Sequence, residues 1–240
     1  MVERSDALTL QRILDTLHRK ANRRNVEGMQ RFGMRGDKRL GISMPDLRTL
    51  GKKTGTNHPL AGKLWNTGIP EARILASLVA DADVMTDVEA ETWVRGLDSW
   101  DVCDQLCMNL LERTPFAWKK IRQWAARDEE FVRRAAFALL ACMAWHLKEE
   151  PDARFTTYFP LIRKCATDER NYVKKGVSWA LRNIGKRSPA LRARALSEAR
   201  NISALESPAA RWIAADVMRD LSRAATPKKG KGRSVRERAS

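Results

Sequence analysis

A short segment occurs twice in this chain, and its spacing limits the folds that the protein can adopt. Residues 128–136, DEEFVRRAA, match residues 168–176, DERNYVKKG, with an offset of 40 residues that becomes 41 after one insertion. A fainter copy, AARWIAA, follows at residues 209–215, about 36 residues further on. Repeats of this length are built from helix pairs that bury their apolar faces only by stacking on one another.

Proline placement and apolar spacing both predict helices throughout. Seven prolines stand where a helix would begin, because the first helical N–H has no partner inside the helix: Pro45, Pro59, Pro70, Pro115, Pro151, Pro189 and Pro208. Apolar residues recur at intervals of three and four, and no alternating strand pattern is found. Candidate helices are residues 6–20, 25–31, 45–54, 58–66, 70–80, 87–96, 100–112, 116–126, 129–148, 155–166, 170–186, 189–200 and 208–223. The chain is predicted to be all-α, an α-solenoid of stacked HEAT-like hairpins with a concave basic face.

The charge of the chain points to an acidic polymer as partner. Its 45 lysines and arginines outnumber 29 acids, for a net charge of +16 over 240 residues, and such a charge is typical of nucleic-acid-binding proteins. The last twenty residues carry seven basic residues and one acid. We expect residues 1–223 to form one solenoid domain and residues 224–240 a disordered basic tail. The tail would add phosphate contacts, act as a nuclear-import signal or only aid solubility.

Other classes of protein fit the sequence poorly. The four cysteines lie in apolar helical segments and have no histidine at ligand spacing, so buried thiols are favoured over a zinc site: Cys103, Cys107, Cys142 and Cys165. No cofactor or metal is expected. No apolar run is long enough for a membrane span and the first residues lack a signal-peptide core. We therefore expect a cytoplasmic protein, nucleoid-associated if bacterial, that is monomeric and needs no obligate protein partner.

The predicted helix 170–186 has one apolar stripe and one basic stripe. The basic stripe consists of Lys175, Trp179, Arg182 and Lys186. A large ring in the middle of a cationic face loses roughly 3 kcal/mol of burial free energy if it stays in water. Trp179 therefore either packs on a neighbouring repeat or is kept available for a ligand, which among these cations would be a phosphodiester chain.

The predicted helix 129–148 repeats this arrangement one unit earlier. Arg134 occupies the position that Lys175 has in the next repeat, so the two cations should lie side by side. Trp145 lies on the same face as Arg134, and packing against the next helix pair is the interpretation favoured for it. The remaining tryptophans are also interpreted as structural: Trp65, Trp93, Trp118, Trp124 and Trp212.

Three carboxylates and a tryptophan lie together in residues 97–106, LDSWDVCDQL. Asp98 is predicted to cap the helix that begins near residue 100, with Asp101 three residues on as in a capping box. Trp100 and Asp104 are four residues apart and project from the same side of that helix. Asp104 has no basic residue within one turn, so it requires either an arginine partner from a neighbouring repeat or a functional role.

Four stretches carry a resemblance to a known family: SWDVCD at 99–104, VRRA at 132–135, VKKGVSWALR at 173–182 and LGISMPDLR at 40–48. With them the chain, from about residue 20 to 222, resembles the DNA alkylation repair family, the HEAT-like-repeat alkylpurine DNA glycosylases. The family usually has a tryptophan where this chain has Ser99, and a small or aliphatic residue in place of Cys103.

The resemblance implies removal of positively charged N3- or N7-alkylated purines from duplex DNA, with no enclosing base pocket. It implies that Asp104 stabilises the sugar cation, that Trp100 and Trp179 contact the deoxyribose of the lesion, and that Arg134 lies near the DNA backbone. By their position on the basic faces, Lys175, Arg182 and Lys186 are candidate DNA-binding residues. Two other functions stay open: a non-catalytic HEAT-repeat protein that binds nucleic acid, and a scaffold for an acidic protein.

Overall fold

The computed structural model describes the backbone of residues 2–224 and the side chains of residues 9–223. The described chain is all-helical. Its α-helices are α1 Val2–Arg19, α2 Arg23–Arg31, α3 Met44–Thr54, α4 His58–Asn66, α5 Pro70–Val79, α6 Asp87–Arg95, α7 Trp100–Asn109, α8 Ala117–Ala125, α9 Glu130–His146, α10 Asp152–Thr156, α11 Phe159–Cys165, α12 Asn171–Gly185, α13 Pro189–Ser203 and α14 Pro208–Ala224. A 3₁₀ turn, Leu111–Arg113, follows α7.

The helices stack in two layers as an α-solenoid. In the inner layer α3, α5, α7, α9, α12 and α14 pack in that order, each against the next. Outer helices pack on inner ones as hairpins, α4 on α5, α8 on α9, α11 on α12 and α13 on α14. Buried side chains from these helices form one continuous apolar cluster. The predicted solenoid is confirmed, and its inner layer supplies the concave basic face.

Five of the seven prolines predicted to begin helices do so, whereas Pro115 and Pro151 lie before the first residues of α8 and α10. Proline occupies the first or second position of α3, α4, α5, α11 and α13, and Pro208 begins α14. Side chains of the residue before α3, α4, α6 and α13 accept a hydrogen bond from an N–H of the first turn. Such caps satisfy N–H groups that have no partner within the helix.

The predicted helix 155–166 is wrong, because the chain forms two short helices, α10 and α11, in this region. Pro160 cannot donate a backbone hydrogen bond to the carbonyl four residues earlier, so a continuous helix is broken there. The hydroxyls of Thr156 and Thr157 bond to the carbonyls of Ala153 and Arg154, both at 2.8 Å. These side-chain bonds support the end of α10.

Helix α9 is buried on nearly all sides, which the sequence did not indicate. The apolar stripe of α9 is buried, but so are Arg134, Ala138 and Ala141 on the opposite face. The reason is that α7 and α12 flank α9 within the inner layer. As predicted, all four cysteines are buried thiols.

Two predictions about the limits of the chain stay open. The basic tail lies outside the described residues apart from Ala224, the last residue of α14, and the single domain over residues 1–223 stays a prediction. Within the described part of the chain, no helix is both long enough and apolar enough to cross a membrane.

Candidate nucleic-acid interface

A cavity of about 930 Å³ opens on the concave face between the inner helices and the loop after α2. The residues that line it come from five parts of the chain: Arg31, Phe32, Gly33, Met34, Trp100, Asp104, Arg134, Asn171, Tyr172, Lys175, Trp179, Arg182, Trp212 and Asp216. Of the seven predicted site residues, the cavity brings six together. Lys186 is not among the lining residues, and its ammonium pairs with Asp220 at 2.6 Å.

Asp104 and Arg134 form a two-point ion pair at the base of this cavity. The Nε and Nη2 atoms of Arg134 donate to the two carboxylate oxygens of Asp104 at 3.1 and 2.8 Å. The Asp104 side chain is 13% exposed and the Arg134 side chain 6%, so the carboxylate keeps limited access to the cavity. Burial raises the pKa of the Asp104 carboxyl, while the Arg134 guanidinium opposes that rise.

Arg134 is also fixed from the side of α12, since its Nη1 donates to the Tyr172 carbonyl at 2.8 Å. These three hydrogen bonds all lie within the protein, and the guanidinium carbon of Arg134 is 6.0 Å from the Trp100 ring centroid. Arg134 and Lys175 line the same cavity, as expected, but Arg134 is buried. Arg134 lines the cavity as a buried ion-pair partner, which is one of the two alternatives that the sequence left for Asp104.

The capping prediction for Asp98 and Asp101 is wrong. Ser99 is the residue that precedes α7, and its side chain makes no capping hydrogen bond. Asp101 instead pairs with the buried Arg39, whose Nη1 and Nη2 donate to its two oxygens at 2.8 and 3.1 Å. Asp98 is exposed and lies 3.7 Å from Arg73. Two arginine–aspartate pairs thus stand one turn apart on α7.

Trp100 is oriented by the segment of residues 32–35. Its indole Nε1 donates to the Phe32 carbonyl at 3.1 Å, and the Tyr172 hydroxyl donates to the Gly33 carbonyl at 3.0 Å. The backbone N–H of Arg35 donates to the Ser99 hydroxyl at 3.0 Å. Segment 32–35 therefore spans the cavity rim from α7 to α12. Trp179, on the opposite side, is partly buried against the core and lines the cavity.

The predicted cations differ in how available they are. Lys175 is exposed, and within the described residues it has no carboxylate partner. The Nε atom of Arg182 lies 3.3 Å from Asp216, which also accepts a hydrogen bond from Ser178. Since an ion pair reduces the charge offered to an incoming phosphate, Lys175 is the best placed of the predicted cations for such a contact.

The comparison with known families decides what kind of protein this is. A family model described as DNA alkylation repair enzyme matches residues 13–223, well over half of the chain. The chain belongs to the DNA alkylation repair family. Membership connects it with DNA repair and accounts for a basic concave face.

One solved structure of another protein has the same fold as this chain. It is described as a new family of proteins related to the HEAT-like repeat DNA glycosylases with affinity for branched DNA structures. The two chains superpose with a TM-score of 0.72 at 17% sequence identity, over 88% of this chain and 94% of that chain. No protein with a curated description matches the chain.

Where this member of the DNA alkylation repair family has Ser99 instead of a tryptophan, the small side chain has a structural role. Its hydroxyl donates to Asp101 and accepts from Arg35. A larger residue could not occupy this buried position without moving segment 32–35.

Sequence reasoning missed several residues that line the cavity or lie near it. Trp212, interpreted as structural, lines the cavity and is 38% exposed. Phe32 lines the rim and is 77% exposed. The packing predicted for Trp145 is wrong, because this residue is 52% exposed, and it does not line the cavity. Helical periodicity does not show which side of a helix a neighbouring repeat leaves open, so it did not identify these rings as exposed.

Proposed function

We propose that this protein is a monofunctional DNA glycosylase that hydrolyses the N-glycosidic bond of positively charged N3- or N7-alkylated purines in duplex DNA. The observation that carries the proposal is one carboxylate, Asp104, fixed in a cavity that two tryptophans, Trp100 and Trp179, also line. Family membership supports a role in alkylation repair. Lys175 supplies a contact for the DNA backbone.

The reaction needs little acid catalysis. A purine that already carries a positive charge is a good leaving group, because the electrons of the broken C1′–N bond neutralise it. Positive charge then develops on the deoxyribose, and a water molecule adds at C1′ and loses a proton. A fixed carboxylate directed at the sugar stabilises that cation without reorganisation. Asp104 fills this role, and it can also orient the water.

The ion pair with Arg134 reduces the stabilisation that Asp104 gives to the sugar cation, but it holds the carboxylate in one orientation. A cation about 4 Å from the carboxylate gains about 4 kcal/mol at an effective dielectric of 20, and loses about 2 kcal/mol to a guanidinium about 8 Å away. The net of about 2 kcal/mol corresponds to roughly 30-fold in rate. Each tryptophan face adds about 0.5–2 kcal/mol of cation–π attraction.

The test is release of N7-methylguanine from alkylated duplex under single-turnover conditions. Asp104→Asn removes the carboxylate charge at constant size but leaves the repulsion by Arg134. The full attraction of about 4 kcal/mol is therefore lost, and the rate should fall roughly 10³-fold. Asp101→Asn is the matched control, since Asp101 has the same kind of arginine partner one turn away and does not line the cavity. Breaking this buried pair lowers stability, but the release rate per folded protein should stay within about threefold of wild type. Undiminished release by Asp104→Asn would contradict the role of this carboxylate.

A second candidate function is DNA binding without catalysis. The buried pair with Arg134 favours it, because a carboxylate that is compensated within the protein has less effect on a substrate. The structural neighbour is itself described by its affinity for branched DNA. If wild-type protein binds duplex and branched DNA but releases no base, this second function holds and the glycosylase proposal is wrong.

A further inference from the structure

Trp212 gives the cavity an aromatic surface that neither the family resemblance nor the proposed mechanism uses. It lies in α14, one repeat beyond Trp179, and 38% of its surface is exposed. It lines the same cavity as Trp179 and Lys175. Exposure of a large ring forgoes burial free energy, and here the exposed ring faces the region where DNA is proposed to bind.

The structure fixes the position of this ring through α14 as a whole. One carboxylate oxygen of Glu169 accepts hydrogen bonds from the Ser207 hydroxyl at 2.7 Å and from the Ala209 N–H at 3.1 Å, at the start of the helix. One turn after Trp212, Asp216 accepts a hydrogen bond from Ser178 of α12 at 2.7 Å. These hydrogen bonds hold α14 in place both before and after Trp212.

Two lysines of α12 complete the surroundings. The Lys174 ammonium lies 5.5 Å from the Trp212 ring centroid, and Lys175 lines the cavity beside it. Asp216 is the nearest acid of α14, but Arg182 and Arg219 both pair with it, so its charge is compensated. An indole with one ammonium group near its ring and a second lysine in the same cavity suits a sugar–phosphate unit, with the ring on the deoxyribose and the cations on the phosphate.

We propose that Trp212, Lys174 and Lys175 form a second nucleotide subsite, which binds the sugar–phosphate of the nucleotide flanking the alkylated one. The proposal rests on the proposed function in taking the cavity of Trp100, Asp104 and Trp179 as the place of the lesion. The subsite contributes to binding and to register along the strand. It takes no part in bond cleavage, because the cation develops at the neighbouring sugar.

Measurements of DNA binding and of base release distinguish the proposed subsite from the lesion site. Trp212→Ala should weaken equilibrium binding of undamaged duplex about tenfold, while the single-turnover rate of base release at saturating protein stays within about twofold of wild type. Trp212→Phe retains an aromatic face and should bind within about threefold. Trp145→Ala is the matched control, an exposed tryptophan outside the cavity, and should bind as wild type does.

A gapped substrate tests the flanking position itself. Duplexes carry one N7-methylguanine and a one-nucleotide gap directly 5′ or directly 3′ of it, and the protein concentration that gives half-maximal release rate is measured. With one of the two gaps, this concentration should rise about tenfold for wild type. The difference between wild type and Trp212→Ala should then disappear, because the contact is already missing. The other gap should preserve that difference.

Several outcomes overturn the proposal. Wild-type binding by a folded Trp212→Ala variant would do so, as would equal weakening by Trp145→Ala. A loss of the saturating release rate as large as that of Asp104→Asn would assign Trp212 to the lesion site instead. If Trp212→Ala fails to fold, binding by Trp212→Phe as weak as by Trp212→Leu excludes an aromatic contact. If wild type releases no base, the proposed function fails, while the binding comparison on undamaged duplex still decides the subsite.

Discussion

At the scale of single residues, the Asp104 carboxylate is subject to two opposing influences. Its burial favours the neutral acid, whereas the two hydrogen bonds from Arg134 favour the carboxylate. A catalytic carboxylate has to be charged at working pH and still close enough to solvent to meet a substrate. Arg134 keeps the carboxylate charged, although its own positive charge weakens the attraction between Asp104 and the sugar cation. Arg134 is therefore a positioning residue in the proposed reaction.

This balance predicts the acid side of the pH–rate profile. The rate of base release should fall as Asp104 is protonated, and since its pKa is raised, the fall should occur above the ordinary aspartate value of about 4. Arg134→Lys keeps a cation but loses the two-point contact. The pKa of Asp104 should then rise further, so the fall in rate moves to higher pH and the rate at neutral pH drops roughly threefold to tenfold.

The control for this prediction is Arg39→Lys, in the equivalent pair with Asp101 outside the cavity. That variant should shift stability but leave the acid limb of the profile where it is in wild type. An Arg134→Lys enzyme with an unchanged pH profile would contradict the positioning role.

At the scale of structural elements, segment 32–35 connects the first helices to the later repeats. Its carbonyls accept hydrogen bonds from Trp100 of α7 and Tyr172 of α12. Gly33 has φ +74°, and a Cβ added there would lie 2.6 Å from the Tyr172 hydroxyl. The segment therefore depends on glycine both for its backbone conformation and for close approach of Tyr172.

Gly33→Ala should destabilise the protein more than Gly68→Ala does. Gly68 also follows the last residue of a nine-residue helix, at φ +70°, but a Cβ there meets only the Lys38 ammonium at 3.7 Å. Backbone conformation alone costs Gly68→Ala about 1 kcal/mol. Gly33→Ala should cost about 1 kcal/mol more, since the Tyr172 hydrogen bond is also lost.

Urea denaturation of the two variants measures this difference, and base release measures its consequence for Trp100. Release should slow in Gly33→Ala and not in Gly68→Ala, because only the first change disturbs the carbonyl that orients the indole. Equal free energies of unfolding for the two variants would show that the contact with Tyr172 contributes nothing.

Elements were predictable from sequence where local chemistry determines them. Prolines fix the beginnings of α3, α4, α5 and α13. Periodicity gives the buried face of α12, but α9 is buried on nearly all sides. The Arg134–Asp104 pair spans 30 residues, so helical spacing gave the need for a partner but not its identity. Trp145 and Trp212 were misjudged for a related reason, because coverage by a neighbouring helix depends on how the repeats stack.

At the scale of the whole molecule, fewer charges face a ligand than the net charge of +16 suggests. Within the described residues, Arg134, Arg182 and Lys186 of the inner layer all have carboxylate partners. The affinity for DNA therefore depends on a smaller set of available cations, of which Lys175 is one.

The salt dependence of DNA binding measures how many of these cations meet phosphates. For duplex DNA the logarithm of the binding constant falls against the logarithm of salt concentration with a slope of about −0.9 per phosphate neutralised. Lys175→Ala should weaken binding on every sequence and reduce the magnitude of the slope by about 1. Lys164→Ala is the matched control, an exposed lysine on the outer helix α11 that has no carboxylate partner among the described residues, and it should leave the slope unchanged. A scaffold for an acidic protein would instead bind DNA weakly and with little dependence on salt, so a steep slope that Lys175→Ala reduces excludes the scaffold function.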